Sequence, residues 1–81
     1  MNPRSSRLQN RVRELREECG AMTQAELASK VGVTRQTIAA IEKNRYAPSL
    51  ETAFLIAEAF AQPIGEVFSF LPLEAEKAGG A

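Results

Sequence analysis

The chain has 81 residues, 44% of them hydrophobic, with ten Lys/Arg balanced by ten acidic residues and one cysteine. That length specifies one domain near the size at which a single core suffices. No apolar run approaches the roughly 18 residues of a membrane span, and a lone cysteine excludes an internal disulfide framework and fits a reducing cytoplasm. Histidine and aspartate are absent, which removes the commonest general base, the usual metal ligands and every Ser-His-Asp arrangement. No enzyme, metal site or cofactor is therefore expected. The amino end, MNPRSSRLQN, lacks an apolar h-region and is not expected to act as a secretory signal. The zero net charge conceals a split: residues 1–45 hold nine Lys/Arg against five Glu, a net +4, and residues 46–81 hold one Lys against five Glu, a net −4. Such a division points to a basic face and a separate acidic region.

Taken in chain order, Leu8, Val12, Leu15 and Cys19 fall on one helical stripe and predict a first helix over residues 6–19, with Cys19 as a small buried side chain and Gly20 as the stop. Thr23 and Glu26 form a capping box for a second helix, and Met22 with Leu27 forms a hydrophobic staple around it. Leu27, Ala28 and Val31 face inward, and Gly32 ends the helix. Thr34 caps a third helix over about residues 34–43, with Ile38 and Ile41 inward and Asn44 as a left-handed stop. Ser49 caps a fourth, whose apolar face is expected to comprise Leu50, Ala53, Phe54, Ala57, Phe60 and Ala61. Gln62-Pro63 breaks it, residues 64–68 form a fifth short helix, and residues 68–71 are extended. No strand pair is evident. The expected fold is all-α, a compact bundle of five short helices in one domain over residues 1–72, followed by a disordered tail over 73–81.

Two capped helices joined by a glycine-led turn must cross steeply. Gln24, Ala28, Gly32, Ile38 and Ile41, spaced 4, 4, 6 and 3, supply the start, small, turn and core positions of a helix-turn-helix. With Ile38 and Ile41 inward, Gln36, Ala40 and Lys43 form the opposite row, with Ala39 beside them and Arg35 able to swing round from the first turn. Alanines let the helix axis approach a concave surface, while Arg and Gln offer the bidentate hydrogen bonds that read guanine and adenine in the major groove. Arg35, Gln36, Thr37 and Ala40 are the candidate base-reading residues; Gln24, Thr34, Lys43, Asn44 and Arg45 are the candidate phosphate contacts.

Residues 22–50, MTQAELASKVGVTRQTIAAIEKNRYAPSL, resemble the Cro/C1-type (XRE) helix-turn-helix family, and with the flanking helices the similarity covers roughly residues 8–70. The resemblance implies a lambda repressor-like DNA-binding domain whose third helix enters the major groove. It also implies an ion pair between a buried arginine of the first helix and a glutamate of the third, matched here by Arg16 and Glu42. Alanine at position 40, where some relatives carry a polar reader, shifts readout toward Arg35 and Gln36, and the link Gly20-Ala21-Met22 is one residue longer than usual.

A few reading residues do not select a site in a genome, and family regulators pair two copies on half-sites about 34 Å apart. Ile64, Val67, Phe68, Phe70 and Leu71 are the expected homodimer contacts, since they exceed what a terminal segment needs to cap its own core. The expected function is a cytoplasmic, nucleoid-associated transcriptional regulator of double-stranded DNA, acting as a repressor by occlusion, with no small-molecule ligand and no membrane partner. The alternative is an antitoxin or co-regulator whose main partner is another protein.

Overall fold

Local signals delimit the helices before tertiary contacts orient them. The computed structural model describes residues 7–71, in the order β1 (Leu8–Asn10), α1 (Val12–Glu18), α2 (Gln24–Val31), α3 (Arg35–Glu42), α4 (Leu50–Ala59), α5 (Ile64–Val67) and β2 (Phe68–Phe70). The expected tail over 73–81 and the first residue of the helix expected over 6–19 lie outside the described residues. At the start of α2, Thr23 Oγ1 accepts from the Glu26 amide at 3.0 Å and Glu26 Oε1 accepts from the Thr23 amide at 2.8 Å. This reciprocal pair satisfies two amides that the first turn leaves open. Gly32, at φ +79°, turns the chain out of α2, a conformation that carries no Cβ penalty for glycine. Thr34 Oγ1 then accepts from the Thr37 amide at 3.1 Å to open α3, and Ser49 Oγ accepts from the Thr52 amide at 3.1 Å to open α4.

These helices enclose one apolar cluster in which Val12, Leu27, Ile38, Ile41, Ile56 and Val67 are almost wholly shielded, and Leu15, Met22, Ala28, Val31, Ala57 and Phe60 complete it. Each large aliphatic chain so enclosed contributes about 1.5–3 kcal/mol. The helices α2 and α3 pack on each other, α4 lies against α2, α1 touches α3, and α5 closes on α4. The described residues are mostly α-helical, with five helices and one small sheet.

That sheet is a departure from the all-helical reading. Residues expected to begin the first helix instead form β1, antiparallel to β2, with Leu8 opposite Phe70, Gln9 opposite Ser69 and Asn10 opposite Phe68. Backbone groups that a helix would satisfy locally are taken by a strand far along the chain, and α1 starts only at Val12. Its first amide is received by Asn10 Oδ1 at 3.0 Å. Cys19 is exposed rather than buried, because α1 ends at Glu18 and the chain leaves the helical path at Cys19, so the stripe stops one turn early. The face of α4 is also rotated from the expected one. Ala53, Ile56, Ala57 and Phe60 are buried, whereas Leu50 is 71% and Phe54 51% exposed, and Ala61 is exposed too.

Candidate nucleic-acid interface

The outer side of α3 is built by its own inward side. Ile38 and Ile41 are fully in the core, which leaves Arg35, Gln36 and Lys43 exposed and Ala40 partly so. Gln36 and Lys43 have no side-chain partner among the described residues, and none of the described segments lies over their row. Ala39 and Ala40 leave the waist of the helix narrow. Thr37 is half-buried, and its hydroxyl lies 3.0 Å from that of Thr34, so this pair is engaged with the helix cap.

Arg35 is the outer member of a polar chain that runs into the protein. The Arg16 guanidinium, on α1, donates from Nε to Glu42 Oε2 at 2.8 Å and from Nη2 to Glu42 Oε1 at 3.2 Å. Its Nη1 donates to the Met22 carbonyl at 2.8 Å. Gln24 Nε2 donates to Glu42 Oε1 at 3.0 Å, and Arg35 Nη1 approaches Gln24 Oε1 at 3.5 Å. Arg16 and Glu42 side chains are only 13% and 6% exposed, so the pair is largely desolvated. The hydrogen bond to Glu42 raises the Arg16 pKa above its ordinary value, outweighing the opposing effect of burial. The network joins α1, α2 and α3 and leaves Gln24 oriented at the amino end of α2, where free amides and the positive end of the helix dipole favour an anion. Arg16, Gln24 and Arg35 line one open crevice there.

At the other end of α3 the chain turns at Asn44, with φ +59°, and Lys43, Asn44 and Arg45 are exposed. Sequence reasoning missed Asn10. Its Nδ2 donates both to the Ile41 carbonyl at 2.9 Å and to Asn44 Oδ1 at 3.0 Å. One side chain of β1 thus closes the last turn of α3 and holds the left-handed residue after it. Nothing within ten residues of Asn10 signals this, because both partners lie more than thirty positions away.

The residues expected to join two copies separate into two groups. Val67 is 1% exposed and belongs to the core, since α5 closes on α4, so it is withdrawn from any surface contact. Ile64 and Phe68 are partly buried against the same core. Phe70 and Leu71 are 64% and 48% exposed.

With this geometry in view, the comparisons are consistent. A model of the helix-turn-helix family matches residues 12–67. A relative from Archaeoglobus fulgidus is 49% identical over 78% of this chain and 89% of its own length. The Bacillus subtilis protein YgzD is 49% identical over 75% of this chain and 91% of its own length. A relative from Methanothermobacter thermautotrophicus is 59% identical over 63% of this chain and 72% of its own. All three are named as uncharacterized HTH-type transcriptional regulators. A solved structure from Bacteroides fragilis shares the fold, with a TM-score of 0.69 and 24% identity over 76% of this chain and 98% of that one. The chain belongs to the Cro/C1-type helix-turn-helix family, a family of non-enzymatic DNA-binding regulators. No helix among the described residues is long and apolar enough to cross a membrane.

Proposed function

We propose that the protein is a sequence-specific regulator of transcription that binds double-stranded DNA as a homodimer, with α3 in the major groove of each half-site, and represses by occluding the promoter. The uncovered row Gln36, Ala40 and Lys43, flanked by Arg35, is the observation that carries this reading. A helix of about 10–12 Å diameter fits a groove about 12 Å wide when its waist carries only methyl groups. Arg35 and Gln36 read base edges, Thr37 supports the first turn, and Ala40 meets a thymine methyl. Gln24 and Thr34 face one phosphate strand, and Lys43, Asn44 and Arg45 face the other, setting register and affinity. The curated relatives' names support the same class of function.

The test is selection of bound duplexes from a random pool, followed by binding of variants to a selected and a scrambled duplex. Arg35→Ala and Gln36→Ala each remove about 1–3 kcal/mol of discrimination and flatten base preference. Lys43→Ala weakens both duplexes alike and lowers the salt slope by about one unit. Equal losses on both duplexes for all three variants would remove the assignment of base readers.

A further inference from the structure

Along α1, Arg13, Arg16 and Glu17 share one flank, a helical turn apart. Arg16 sets the direction in which that flank looks, since its guanidinium is bonded to Glu42 of α3. Arg13 and Glu17 therefore open, with Gln24, Ala39 and Lys43, onto a further crevice between α1 and α3. Asn10 decides which end of α3 Arg13 accompanies. Its bonds to the Ile41 carbonyl and the Asn44 side chain hold the first turn of α1 at the carboxyl end of α3, where Lys43 lies. Ala39 contributes only a methyl group, which keeps the crevice open beside Lys43.

We infer that Arg13 is a further phosphate contact: its guanidinium leaves Glu17 and, with Lys43 across the crevice, takes the DNA strand faced by Lys43, Asn44 and Arg45. The inference rests on the reading of α3 as the helix that enters the groove, and it extends the footprint to α1. Availability singles out Arg13 among the arginines of α1 and its cap. Arg16 is enclosed with Glu42, and Arg11 is tied both to Glu14 and to Glu66 on α5. Among the described residues Arg13 has Glu17 alone, at 3.2 Å, and the two side chains are 74% and 59% exposed. An exposed pair of this spacing holds its partners only weakly. Charge favours an anion as the new partner. With Arg16 and Glu42 offsetting each other, the crevice keeps Arg13 and Lys43 against Glu17. Geometry favours it too, because a phosphodiester accepts two parallel N–H bonds from a guanidinium, whereas Glu17 receives only the Nε of Arg13. Glu17 then acts as a brake, since it must be released first and its carboxylate repels the incoming phosphate.

Binding of the full chain to a selected and a scrambled duplex, from about 50 to 300 mM salt, tests this. Arg13→Ala is expected to weaken both duplexes about three- to tenfold and to lower the salt slope by about one unit, and Arg13→Lys to recover the slope. Glu17→Gln breaks the same pair and is expected to tighten both duplexes about twofold or more. A purely structural role for the pair would make both variants weaken binding, so the opposite signs are the decisive readout. Thermal melts by circular dichroism establish that each variant remains folded, and Arg13→Gln takes the place of the alanine variant should that one melt. An unchanged slope with Arg13→Ala overturns the inference. So does weaker binding by Glu17→Gln, or a loss confined to the selected duplex, since a phosphate contact carries no sequence information. Lys43→Ala on the same duplexes separates the two readings. If it lowers the slope and Arg13→Ala does not, this inference alone fails; if no duplex is selected, the reading of α3 fails and this one with it.

Discussion

The segment from Thr23 to Glu42 and the sheet that joins β1 to β2 are stabilised on different scales of sequence. In the first, the start and end of α2 and the start of α3 are set within the segment itself: Thr23 with Glu26, Thr34 with Thr37, Gly32 turning on its own φ. In the second, Leu8 needs Phe70 and Asn10 needs Ile41, Asn44 and Phe68. The locally specified segment can spare its outer side chains for a ligand, because its fold does not use them. The sheet uses its side chains to hold α3 in place, and Asn10 is where the two regions meet.

The sharpest way to break this contrast is at the point where distant elements are joined inside the first segment. Glu42→Ala leaves Arg16 desolvated without its carboxylate and also removes the acceptor for Gln24; a loss of about 3–5 kcal/mol is expected by chemical denaturation. Joint replacement with Arg16→Met and Glu42→Leu should recover most of that loss, since an apolar pair of similar volume carries no stranded charge. The next effect compares the two faces of α4. Ile56→Ala should lower stability by about 2–5 kcal/mol, whereas Phe54→Ser should remain within about 0.5 kcal/mol in the isolated monomer. Equal losses at the two positions would mean that the helix is rotated from the orientation described.

Asn10→Ala is expected to cost about 1–2 kcal/mol, from the opened last turn of α3 and the released first amide of α1. Hydrogen exchange should then accelerate at Asn44 and Arg45, whose amides donate to the carbonyls of Ile41 and Ala40. The smallest effect carries the opposite sign. Ala61 sits at φ +55°, where an L side chain is strained, and Ala61→Gly should raise stability by about 0.5 kcal/mol in a thermal melt.

The order and caps of α2 and α3 were legible because their signals are short-range, and so was the basic row that Ile38 and Ile41 force outward. The face of α4 was not. Its ten residues, LETAFLIAEA, are apolar on nearly every side, so periodicity alone could not distinguish Ile56, which is enclosed, from Phe54, which is not. The β1 strand was hidden for a different reason: Leu8 and Val12 fit a helical stripe, and only a strand some sixty residues away makes extension the better arrangement. Cys19 shows the same limit at smaller range, since a stripe drawn on an ideal wheel does not show where the helix unwinds. Among the candidate site residues, Arg35, Gln36 and Lys43 could be placed from the wheel. The engagement of Gln24 with Glu42 and of Asn44 with Asn10 could not, because each is a contact between elements.

The backbone of Leu71 donates to the Arg7 carbonyl at 2.7 Å, so the two ends of the described segment sit side by side. A circularly permuted gene that joins position 71 to position 7 through a few glycines, and opens the polypeptide in the turn after α3 instead, would preserve every β1–β2 pairing. It would also convert the sheet from a closure between distant segments into a local hairpin, the arrangement expected to speed folding by lowering contact order.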